Sequence, residues 1–220
     1  MFRLRDKEFD LWAESYDRDV ENSEKEGRYP FAAYEDVLNT IYNKIPNNQK
    51  KMILDIGFGT GVMTKRLYDD GHEIYGVDFS QEMLNISKSK MKEAKLVQFD
   101  FSKGLPEEFN NIIFDYIISS YAIHHLTDNE KVELITKLLK NLKDDGAIIF
   151  GDVAFKNTEK MLKAREKDKD IWDDEEHYII ADKIIKLLPH LNISFEKLSY
   201  CSGVLTIFKK RKNSHFPGIK

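Results

Sequence analysis

Apolar residues recur along this chain in two rhythms. Over residues 31–45 they fall at Phe31, Tyr34, Val37, Leu38, Ile41, Tyr42 and Ile45, the three-and-four spacing of a helix with one buried face. Pro46-Asn47-Asn48 ends it. Short, nearly continuous apolar runs then alternate with helical spacing. Strands are predicted at 52–56, 73–77, 96–99, 116–119 and 147–150. Helices are predicted at 62–68, from Ser80 onward with its hydroxyl as N-cap, and over 128–142, closed by Asp144-Asp145-Gly146. A weaker helical pattern spans 9–20, and Gly27-Arg28-Tyr29-Pro30 interrupts the chain before 31.

Strands buried on both faces and separated by helices imply a parallel sheet covered on either side. Two late strands, 193–200 and 204–209, are joined by Cys201-Ser202-Gly203 alone. That link permits a hairpin and no crossover, so the last strand should run antiparallel. The charged stretch between Phe155 and Trp172 reads as a solvated helix or lid, and Lys209-Lys210-Arg211-Lys212 as a frayed basic end. The expected organisation is one domain: a helical cap over 1–46, a ligand-binding core over 47–155, a helical insertion or lid over 156–190, and a hairpin over 191–210.

Composition narrows the class. With 220 residues, 41% hydrophobic and 33% charged, the chain suits a single α/β domain with a sizeable core. A net charge of −4 offers no footprint for nucleic acid. The lone Cys201 excludes an internal disulfide and any CxxC metal site, and no metal is expected. Residues 1–10 are mostly charged and no apolar run nears the ~18 residues of a membrane span, so a cytoplasmic protein without a membrane partner is expected.

Within this pattern stands MILDIGFGTG, residues 52–61: a strand, then Gly57, Gly59 and Gly61, then a helix. Glycines here permit a tight turn and close approach of a nucleotide-like ligand. A dinucleotide site would place its third glycine where Val62 stands, and no Lys-Ser or Lys-Thr follows for a triphosphate. Asp78, seventeen residues after Gly61, ends the second strand where a carboxylate accepts both ribose hydroxyls. Asp100 ends the third strand, in reach of an amino group such as adenine N6, and Asp55 would attract a cationic ligand. Together they suit a ribosylated adenine with a positive, phosphate-free arm.

LDIGFGTG (54–61), GVDFS (76–80), QFDF (98–101) and FDYIISSYAIHHL (114–126) resemble the class I S-adenosylmethionine-dependent methyltransferases. FDLWAESYD (9–17) is similar to the entrance helix of the ubiquinone- and menaquinone-type subgroup. SSYAIHHLTDNEK with the later DEEHY (174–178) is similar to a small bacterial family, of the methyltransferase 11/25 type, associated with sulfur amino-acid metabolism. The resemblance implies a Rossmann-like, seven-stranded, mostly parallel sheet with an antiparallel last strand and an N-terminal helical lid. It implies S-adenosylmethionine as cofactor and S-adenosylhomocysteine as product. Gly57, Gly59 and Gly61 would carry backbone against the methionine arm, with Asp55 near its ammonium. Asp78 and Phe79 would sit at the ribose, Asp100 and Phe101 at the adenine, Ser119 beneath the donor, and Tyr16, with Trp12, over it.

Methyl transfer needs alignment first, and a base only where the acceptor holds a proton. His124 and His125 follow the fourth strand at the carboxyl edge, where an α/β sheet places its site; either takes a proton there, or caps the next helix. His177 and Tyr178 are candidates for the acceptor pocket. The fourth strand ends in Ser-Ser-Tyr-Ala, unlike the Asn-Pro-Pro-Tyr turn of adenine-base methylation, and no cysteine lies nearby to attack a pyrimidine. A small-molecule acceptor is expected, on a monomer or homodimer. The alternatives are a non-catalytic protein that binds S-adenosylmethionine and, further off, a nicotinamide-dependent oxidoreductase.

Overall fold

The computed structural model describes residue 20 and residues 23–210, so Trp12, Tyr16 and the tail beyond 210 lie outside the described residues. The first elements fall close to the predicted ranges: helix α1 (Tyr34–Asn43), strand β1 (Met52–Ile56), helix α2 (Val62–Asp69), β2 (Glu73–Asp78), α3 (Gln81–Lys90) and β3 (Lys95–Gln98). Ser80 caps α3, its side chain accepting from the Met83 amide at 3.2 Å. Then come β4 (Phe114–Ser120), α4 (Asp128–Leu138), β5 (Leu142–Phe155), α5 (Thr158–Lys167), β6 (Ile179–Ile180), α6 (Ala181–Leu187), β7 (Leu191–Lys197) and β8 (Ser202–Lys209).

The sheet runs β3-β2-β1-β4-β5-β8-β7, with β6 paired off this path to the far end of β5. Strands β1 to β5 pair in parallel, and β8 is antiparallel to both β5 and β7, as the short late link demands. Alternate residues of each strand feed opposite faces. Ile53, Ile74, Ile118 and Ile149 join Val37, Ile41, Met63 and Leu67 of α1 and α2 on one side. Leu54, Tyr75, Ile117 and Ile148 join Leu134, Leu138 and Ile184 of α4 and α6 on the other. No helix among the described residues is long and apolar enough to cross a membrane.

The sequence pattern misplaces the end of α4 and the start of β5. Helix α4 ends at Leu138, residues Leu139–Asn141 tighten into a 3₁₀ turn, and β5 already begins at Leu142. Asp144-Asp145-Gly146, read as a stop signal, lies inside that strand. The register slips between Phe114 and Tyr116, and a Cβ at Gly146 would sit 2.5 Å from the Asp115 carbonyl oxygen. The glycine thus admits a strand irregularity rather than a helix end. The late hairpin link also shifts: β7 stops at Lys197, and the turn is closed by the Leu198 and Ser199 amides on the Ser202 carbonyl.

Candidate active site

At the carboxyl ends of β1, β2 and β4 lies a cavity of about 500 Å³, where a parallel sheet leaves a crevice beyond its strands. One half is built from a continuous piece of chain. Beyond β1 the Gly57 amide donates to the Val77 carbonyl at 2.7 Å, and the Gly59 amide to Asp78 Oδ2 at 2.8 Å. Ser87 of α3 grips the Gly59 carbonyl at 2.8 Å. Gly57 and Gly59 have φ of 71° and 53°, and they differ in what surrounds them. A Cβ on Gly57 would lie 2.5 Å from that of Ala122, whereas one on Gly59 would meet nothing within 4 Å. Gly57 is needed for packing; Gly59 leaves its flank open to the cavity.

Of the residues predicted for the ligand, Gly57, Gly59, Asp78, Phe79 and Phe101 line the cavity, and Asp55, Gly61, Asp100 and Ser119 stand outside the lining. Gly61 caps the start of α2 at φ 79° and packs on Ser87 of α3 and on Met91 just beyond it. Ser119 is buried, its hydroxyl donating to the Ile56 carbonyl at 2.6 Å. Asp100 accepts from the Ser102 amide and hydroxyl at 3.0 and 2.6 Å and so shapes the turn that presents Phe101. Asp55 is buried against the Thr64 hydroxyl, and its Oδ1 has no partner among the described residues. Burial, aided by the nearby Asp78 charge, pushes its carboxyl up to about 7.

The other half gathers residues far apart in the chain: Tyr29, Phe31, Tyr34, Tyr121, His124, His125, Asp173, Glu176 and Tyr178. Tyr121, at φ 50°, turns the chain off β4 into the 3₁₀ turn Ile123–His125. Asp152 of β5, wholly buried, anchors that turn. Its Oδ2 accepts from the Ile123 and His124 amides at 3.0 and 3.1 Å, and its Oδ1 from His124 Nδ1 at 2.6 Å. A carboxylate can only accept, so His124 carries its proton on Nδ1 and its lone pair on Nε2. Burial disfavours the imidazolium, yet the Asp152 charge and hydrogen bond outweigh it and raise His124 above its ordinary value.

His125 Nδ1 meets Glu176 at 2.9 and 3.1 Å, and burial, then the charge of His124, holds His125 below its ordinary value. Glu176 arrives because β6 pairs with the end of β5, Ala154 opposite Ile179, which lays residues 173–178 across the cavity. The His177 amide donates to the His124 carbonyl at 2.9 Å, so His177 contributes backbone while Tyr178 lines the wall. Tyr29, Tyr178 and Asp173 close a hydrogen-bonded ring: Asp173 amide to Tyr29 hydroxyl (3.3 Å), Tyr29 to Tyr178, and Tyr178 hydroxyl to Asp173 carbonyl (2.9 Å).

Asp152, Glu176 and Tyr29 escape the sequence reading. The signal for Asp152 was an acid inside an otherwise apolar strand, GAIIFGDVAF, which nothing but a buried partner explains. Glu176 ends the run Asp173-Asp174-Glu175-Glu176, with no pattern to single it out.

Residues 53–146 match the model of a family described as a methyltransferase domain. An uncharacterized methyltransferase of Geobacillus sp. WCH70 is 37% identical over 188 residues, 81% of this chain and 84% of that protein. Another, of Anoxybacillus flavithermus, is 38% identical over 75% of this chain and 76% of its own. Among solved structures, DhpI in its SAH complex aligns with a TM-score of 0.70 at 13% identity, covering 94% and 96% of the two chains. A S-adenosylmethionine-dependent methyltransferase of Clostridium acetobutylicum aligns with a TM-score of 0.64 at 18% identity over 88% and 98%. The structural likenesses carry the fold; the sequence relatives, at this identity and coverage, carry the family, and the chain belongs to these methyltransferases.

Proposed function

We propose that this protein transfers a methyl group from S-adenosylmethionine to a small, neutral or cationic acceptor. One observation carries the reading: a single cavity is lined both by Gly59, whose backbone nothing crowds, and by a histidine held by a buried carboxylate. A volume of about 500 Å³ shared by donor and acceptor favours a small molecule. Among the described residues its lining holds Asp173 and Glu176 and neither lysine nor arginine, which disfavours a phosphate or carboxylate acceptor.

The residues present fit the donor. Asp78 accepts from the Gly59 and Ser80 amides, which fixes its carboxylate at the end of β2 on the cavity wall, where a ribose would lie. Gly57 and Gly59 bring backbone beside the methionine arm, and Phe79 and Phe101 wall the adenine end. Asp55, Gly61, Ser119 and Asp100 support this loop from behind. When bound, S-adenosylmethionine supplies a methyl already activated on a sulfonium. The chain aligns the acceptor along the aromatic wall of Tyr29, Tyr34 and Tyr178, and alignment alone contributes ~7–11 kcal/mol. Where the acceptor heteroatom bears a proton, His124 Nε2 takes it as the heteroatom attacks, and Asp152 steadies the imidazolium.

Calorimetry with S-adenosylmethionine and S-adenosylhomocysteine tests the donor half. Micromolar binding is expected, weakened about tenfold or more in Asp78→Ala; millimolar binding of both ligands to the unaltered protein would remove the reading.

A further inference from the structure

His124, His125 and Glu176 each offer a ligand atom to the cavity, and the three atoms lie within 4.8 Å of one another. We propose that they form a site for one divalent transition-metal ion, of which Zn²⁺ is the probe, and that its occupancy withdraws His124 from proton transfer. The second half rests on the base reading above; the first does not.

The chemistry of the set fits. Two imidazoles and one carboxylate are ligands for zinc and its neighbours, and leave coordination positions open. Ligands about 2.1 Å from a metal stand roughly 3.0 Å apart at right angles and about 3.4 Å apart in a tetrahedron. His125 Nδ1 and Glu176 already stand 2.9 and 3.1 Å apart, so a cation can replace the proton they share. His124 donates its Nδ1 proton to Asp152, which leaves Nε2 as its ligand atom. A carboxylate behind a ligating histidine is the usual outer support, fixing the tautomer and raising the basicity of the bound nitrogen.

The surroundings hold these groups in place. The His177 amide bonds the His124 carbonyl at 2.9 Å, tying the Glu176 loop to the histidine turn. Buried Lys131 of α4 donates to the Leu126 and His177 carbonyls, one on each side of the set. Sequence spacing hides the arrangement, because Glu176 is fifty-one residues from His125. Metal and proton compete for one lone pair on His124, so a loaded site has no base.

Titrating ZnCl₂ into the full chain by calorimetry, with donor and acceptor omitted, is expected to show one saturable equivalent. His125→Ala and Glu176→Gln should each weaken it at least about tenfold while S-adenosylhomocysteine binding and the melting transition show that both variants fold. Absence of a saturable equivalent, or Zn²⁺ affinity in both variants unchanged from the unaltered protein, overturns the site. Saturating Zn²⁺ should also lower methyl transfer about tenfold or more for a proton-bearing acceptor. Undiminished transfer with bound Zn²⁺ overturns the exclusion while leaving the site. Loss of S-adenosylhomocysteine binding by the unaltered protein would count against the donor reading instead.

Discussion

The two halves of the cavity are made in opposite ways. The half proposed for the donor comes from residues 57–101, where each strand end delivers its group within a few residues of a turn. The half proposed for the acceptor draws on residues 29–34, 121–125, 152 and 173–178, brought together by β5, by the two-residue β6 and by buried polar contacts. A local loop proposed to offer its backbone as the ligand surface should tolerate few substitutions. A site assembled at long range depends instead on a few buried groups such as Asp152, whose loss disturbs several elements together.

The largest effect separating the halves is expected from Asp152→Asn. An amide must turn its oxygen to the Ile123 and His124 amides and its nitrogen to His124 Nδ1, which forces the proton onto Nε2 and removes the base. Transfer to a proton-bearing acceptor should fall about 10²–10⁴-fold with S-adenosylhomocysteine affinity unchanged; a parallel loss of cofactor affinity would mean the halves are not separable. In the unaltered protein the neutral imidazole is active, so the rate should rise with pH through a midpoint above the ordinary 6.5. The stabilising His124–Asp152 contact has the opposite sign: it is complete below 6.5 and fades as pH rises through that raised midpoint.

Within the donor half, Gly57→Ala should cost about 2–4 kcal/mol in denaturant unfolding, from the Ala122 clash and the positive φ together. Adding Ala122→Gly should restore part of it; no restoration would mean that the clash is not the cause. Asp55→Asn sharpens the same half through pH. The unfolded carboxyl ionises near 3.8 and the folded one near 7, so wild-type stability falls as pH rises between those values. The amide should therefore gain about 1–3 kcal/mol at pH 8 and nearly nothing at pH 4. A gain that is the same at both pH values would show that the buried charge is not responsible. The smallest change in stability, about 1 kcal/mol, belongs to Gly59→Ala, where nothing is struck. Its effect should appear in calorimetry as weakened S-adenosylmethionine binding, and retained affinity would mean that face is not where the donor lies.

Much of this architecture is readable before folding. Apolar runs of strand length, the Ser80 cap, and the short link before β8 specify the parallel sheet and its antiparallel last strand, because period and turn length are local properties. The glycine loop and Asp78 are equally legible, since neighbours in the chain become neighbours at one strand end. Gly57 shows where such reading stops: the sequence gives no sign that its missing side chain also makes room for Ala122. The end of α4 at Leu138 was hidden too, because a register slip against β4 absorbed the turn-like Asp144-Asp145-Gly146 into β5. The acceptor wall, the partner of His124 and the approach of Glu176 needed the assembled sheet. Periodicity records which face of an element is buried, and carries no information on which distant acid will be buried beside which histidine.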